Sequence, residues 1–141
     1  MSKLSVSKKS SPELVVMSAL KSFSDRDYIT ATEELSRLSN DELYTYGMGL
    51  LYVEAAAQKG ETSQALKLAS SFLNWKSDYV DMLIEQARVQ EHFAVNKEGA
   101  ILSYQKAFSK SANADQKDWL KRKIEFLKNN HNQITSYVGG K

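Results

Sequence analysis

The chain has 141 residues, 42% of them hydrophobic, with 6 Gly, 1 Pro and no Cys. That length suits one domain with its own core, and the composition excludes collagen-like, low-complexity and disulfide-stapled classes together with any cysteine nucleophile or thiolate metal site. The formal net charge is only +2, but residues 11–105 hold 8 basic and 14 acidic side chains while residues 106–128 hold 7 basic and 3 acidic, so the body is acidic and both ends are basic. No apolar run approaches the roughly 18 residues of a membrane span. The opening MSKLSVSKKSS is basic and serine-rich without the apolar stretch of a secretory signal. A cytoplasmic protein with no membrane contact is therefore expected, with residues 1–10 a disordered basic tail.

Ser10 or Ser11 followed by Pro12 and Glu13 is a helix start, and PELVVMSALKSF should be helical to Phe23. DYITATEELSRL forms a second helix with Ile29, Ala31, Leu35 and Leu38 at helical spacing. SND caps a third, DELYTYGMGLLYVEAAAQ, which contains Gly47 and Gly49 and stops at Gly60. Thr62 or Ser63 caps the fourth helix, to Leu73. Ser77 or Asp78 caps the fifth, DYVDMLIEQARVQEHFAV; Asn96 caps the sixth; Asn113 caps the seventh, ADQKDWLKRKIEFLK. The ending NNHNQITSYVGGK lacks clear periodicity, so residues 11–130 are expected to form the domain and residues 131–141 a flexible tail. No alternating strand pattern competes. The expected class is all-α, an antiparallel array of helical hairpins.

The even-numbered helices share a period. Ala31, Ala65 and Ala100 stand 34 and 35 residues apart; Leu35, Ala69 and Tyr104 follow four positions later, and Leu38, Phe72 and Ala107 seven positions later. With Asp27-Tyr28 before Ala31, Gly60 before Ala65, and the Ala100, Tyr104, Ala107 set, the chain resembles the tetratricopeptide repeat family over residues 12–111. Residues 113–130 look like that family's capping helix. The tryptophan, leucine-glycine and tyrosine of each first helix are poorly placed, the third repeat is about two residues short in its turn, and no proline closes a repeat; the resemblance is to a degenerate form. It implies a solenoid of three hairpins plus a C-terminal capping helix.

No residue pattern points to catalysis. His92 and His131 are the only histidines and stand 39 residues apart, the carboxylates are spaced as caps and solvated faces, and no phosphate-cradling or nucleophile-elbow motif is present. No catalytic, cofactor-binding or metal residue is assigned, and the chain is not expected to be an enzyme. The resemblance implies instead a concave apolar groove lined by the first helix of each hairpin. It carries Val16, Leu20 and Phe23, then Leu50, Glu54 and Gln58, then Met82, Glu85, Val89 and Phe93. Such a groove suits a partner helix or extended peptide, as in an adaptor or a small chaperone of a bacterial secretion apparatus; self-association is left open. The family's carboxylate clamp is not expected, because Val16, Leu20, Leu51, Met82 and Gln86 occupy the matching positions. The alternative is a nucleic-acid-associated factor using the basic segment from Lys106 to Lys128. It is disfavoured, because Trp119, Leu120, Ile124, Phe126 and Leu127 more simply form a capping face.

Overall fold

Ser11 opens the first helix: its hydroxyl accepts from the Leu14 backbone N–H at 3.3 Å, Pro12 needs no partner at the first turn, and Glu13 meets the positive end of the dipole. The computed structural model of the chain describes the backbone of residues 11–139 and the side chains of residues 11–129, and every regular element among them is a helix. The helices are α1 (Pro12–Ser24), α2 (Tyr28–Leu35), α3 (Asn40–Thr45), α4 (Gly49–Gln58), α5 (Thr62–Trp75), α6 (Val80–His92), α7 (Lys97–Lys110) and α8 (Ala114–Gly139). The expected basic tail over residues 1–10 lies outside the described residues. Asp27, Ser39, Asn96 and Asn113 each accept from a backbone N–H three residues on, opening α2, α3, α7 and α8. Ser39 and Glu42 complete a reciprocal capping box.

The expected third helix is two helices. Gly47 adopts φ +69°, and two bonds close the end of α3 around it: Met48 N–H to Leu43 O at 2.7 Å and Gly47 N–H to Tyr44 O at 3.0 Å. This is the Schellman arrangement, which needs a left-handed residue that glycine adopts without a Cβ penalty. Gly60 ends α4 in the same way, with φ +92° and bonds from Glu61 and Gly60 back to Ala56 and Ala57. Other ends shift by a few residues. α2 stops at Leu35 rather than Leu38, and α6 starts at Val80 behind Tyr79, with no side-chain cap from Ser77 or Asp78. α6 ends at His92, and Val95 beyond it takes φ +51°, a strained setting for a β-branched residue. The backbone of α8 continues to Gly139, past the stop expected near residue 130.

By their contacts the described residues fall into two compact units, the first ending at Leu68 and the second beginning at Ala69. In the first, α1 packs on α2, α2 on α4, and the short α3 on α4. Glu34 of α2 accepts from the hydroxyls of Ser18 and Ser22 on α1, and Lys59 donates to Thr32 Oγ1 at 3.0 Å, tying the end of α4 to α2. In the second, α6 packs on α7 and α7 on α8, around a core of Leu83, Ala87, Ala100, Tyr104, Ala107, Leu120 and Leu127.

The repeat positions are the buried ones. Ala31, Ala65 and Ala100 have no exposed surface, nor do Leu35, Ala69, Tyr104 and Ala107; Leu38 and Phe72 are also buried. An alanine at zero exposure in a helix leaves no room for a longer side chain without displacing a neighbour.

Two predictions follow from these positions. Ala100→Leu should lower stability by about 1–3 kcal/mol through overpacking, read from chemical denaturation midpoints; an unchanged midpoint would remove the close-packing assignment. Gly47→Ala meets no atom within 4 Å of the added Cβ, so its cost is conformational alone, ~1–2 kcal/mol, and Gly47→Asn should cost less. Equal melting of both variants and the parent would contradict the left-handed stop.

Candidate interaction surface

α1 is apolar on two sides because Leu14, Val15, Val16 and Met17 stand in a row. Val15, Ala19 and Ser22 form its buried stripe, Val16 and Phe23 flank that stripe half-buried, and Leu20, Met17 and Leu14 point outward at 44%, 64% and 54% exposure. A helix of this pattern normally has both faces covered. Ile29 of α2 and Tyr44 of α3 add exposed apolar surface in the same unit. The polar groups bounding α1 are satisfied locally. Tyr46 O–H donates to Glu13 Oε2 at 2.6 Å, which holds the Glu13 carboxyl below its usual range, and Lys21 pairs with Asp25 at 2.9 Å.

The expected groove residues do not share one environment. Among those in the first unit, Leu20 and Gln58 are exposed, while Val16, Phe23, Leu50 and Glu54 are half-buried. Phe23 packs edge-on against Tyr28, and Glu54 accepts from Gln58 Nε2 at 2.8 Å. In the second unit Met82 and Val89 have no exposed surface and Glu85 is buried, its carboxylate meeting Arg88. These three line no open face, a correction to the expectation; Phe93 alone of that set stays half-buried. Leu14 and Met17, the most exposed apolar side chains of α1, were not in the expected set, although their spacing of three residues was a usable signal.

The basic C-terminal segment is partly spent on structure. Lys117 donates to the Phe108 carbonyl at 3.0 Å and lies 4.5 Å from that ring's centroid, Lys123 donates to Glu91 Oε2 at 3.0 Å, and Arg122 pairs with Asp118. Leu120 and Leu127 are buried and Ile124 half-buried as a capping face requires, whereas Trp119 and Phe126 keep 47% and 57% of their surface exposed. Trp119 stands edge-on to Tyr104 with centroids 6.0 Å apart. His92 is exposed beside Glu91; the side chain of His131 lies outside the described residues. Among the described residues no group of three potential metal ligands occurs, and no helix is long and apolar enough to cross a membrane.

Tyr104 ties three helices together. Its ring is buried on α7, its O–H donates to Glu91 Oε1 of α6 at 2.9 Å, and the same carboxylate holds Lys123 of α8. Burial, reinforced by the bond to Glu91, raises the phenol well above its ordinary pKa. Comparison with family models, with curated proteins and with solved structures gave no match to this chain.

A phenol whose pKa is raised by folding contributes stability that is fully present below its unfolded pKa of ~10 and is lost as pH climbs above it. The parent should therefore lose melting temperature from about pH 10 upward, and Tyr104→Phe should show a shallower loss there while costing ~1–2 kcal/mol near neutrality through the missing bond to Glu91. Parallel alkaline profiles for the two proteins would contradict this role.

Proposed function

We propose that the chain is a protein-interaction module that takes a helix or extended peptide of another protein on the outer apolar face of α1. The observation that carries this reading is the exposure of Leu14, Met17 and Leu20 on a helix whose opposite side is already packed. Covering such side chains contributes up to ~3 kcal/mol each, enough for a few anchors to hold an amphipathic helix. The acidic balance of residues 11–105 favours a partner with apolar anchors and a basic edge. The shared burial of the 34- and 35-residue period supports a TPR-like arrangement of hairpins, and an adaptor or small chaperone working in a reducing compartment agrees with the absence of cysteine. The nucleic-acid reading ranks second: Lys117, Arg122 and Lys123 are engaged within the fold, which leaves Lys106, Lys110, Lys121 and Lys128 as the exposed charges of that segment.

Met17→Asp and Leu20→Asp should abolish partner capture, read by pull-down against the parent with mass spectrometry, and should leave helix content by circular dichroism intact. Met82→Asp places an unpaired carboxylate at a buried position and should unfold the chain, a cost of several kcal/mol. Retained capture by the folded α1 variants would overturn the proposal.

A further inference from the structure

A pocket of about 360 Å³ opens within the second unit, bordered by the C-terminal half of α5, the turn after it, α6 and α7. Its apolar wall is Leu73 and Leu83, and its charged wall is Lys106 and Lys110. No acidic side chain lines it. We propose that this pocket binds a small phosphate monoester, with Lys106 and Lys110 holding the phosphoryl group and the two leucines facing the organic part.

The two lysines stand four residues apart on α7 and so share one face of that helix. Both are exposed, and among the described residues neither ammonium group has an ion-pair or hydrogen-bond partner, unlike those of Lys117 and Lys123. The two acids next to lining residues in sequence, Asp78 and Glu85, are met by Lys76 at 3.4 Å and Arg88 at 3.1 Å. Ser70, Asn74, Ser77 and Gln86 complete the lining with neutral hydroxyls and amides. A phosphate monoester carries close to two negative charges near neutral pH and several acceptor oxygens. That matches two ammonium groups and a ring of neutral donors, where a monocarboxylate would leave one charge unmatched. The volume lies at the small end of ligand sites, which leaves room for a phosphoryl group and a compact body. Because the lysines are open to water, binding should be salt-dependent. This site is separate from α1, and its failure would leave the interaction proposal standing.

The test is a titration of the full chain with phenyl phosphate, followed by backbone amide NMR at low salt, with inorganic phosphate as the body-free control. Saturable shifts at Ser70, Asn74, Ser77, Lys106 and Lys110 are expected, with inorganic phosphate binding more weakly. Lys106→Gln and Lys110→Gln should each weaken phenyl phosphate by roughly fivefold, equivalent to ~1 kcal/mol for an exposed charge contact. Lys121→Gln and Lys128→Gln, exposed on α8, should leave it unchanged. Shifts spread over all lysines, or equal weakening by the α8 variants, would show general charge attraction and overturn the proposal, as would the absence of saturable shifts.

Discussion

A methyl group is the largest side chain that three positions of this chain accept. Ala31, Ala65 and Ala100 are each without exposed surface, and each begins a set whose members four and seven positions later are also buried. Small residues let helices approach closely, and close approach is what allows short helices to gain packing energy that their own propensity does not provide. The rest of the fold follows from serving that approach. Caps at Ser11, Asp27, Ser39, Asn96 and Asn113 start the helices where the small residues will face a neighbour. The glycines at Gly47 and Gly60 stop them abruptly.

The two units solve the same problem with different chemistry. The first joins its helices through hydroxyls and a single lysine: Ser18 and Ser22 to Glu34, and Lys59 to Thr32. The second places a large ring, Tyr104, where the first has Leu35 and where α5 has Ala69, and then must satisfy its O–H. Glu91 does so, and its remaining oxygen draws in Lys123 from α8. Part of the basic character of the C-terminal segment is thus a consequence of core packing, which is why that segment reads less as a nucleic-acid surface once folded.

The caps at Ser11, Ser39, Asn96 and Asn113 and the period of Ala31, Ala65 and Ala100 were legible in the sequence because each depends on local chemistry or on spacing, whereas the cap expected at Ser77 or Asp78 is not formed. The break at Gly47 was not, since apolar residues continue in helical phase on both sides and a glycine inside a helix costs only ~1 kcal/mol; that the break is a Schellman stop depends on bonds to Leu43 and Tyr44. The candidate surface was half legible. Apolar residues on α1 occupy both sides of the helix, so periodicity alone could not choose a face; the family resemblance implied Val16, Leu20 and Phe23 and passed over Leu14 and Met17, which packing leaves outside. On α6 the same apolar spacing marks core instead: Met82 and Val89 are enclosed, and nothing in their residue type distinguishes a buried methionine from a docking one.

The outward face of α1 is the central functional claim, and it can be probed at single-residue resolution. A photo-crosslinking amino acid placed at Met17 in the full chain, expressed in its own cells, should trap one adduct of discrete mass. The same group at Lys67, an exposed site on α5, should trap none. No adduct at Met17, or identical adducts at both positions, would contradict a docking face on α1.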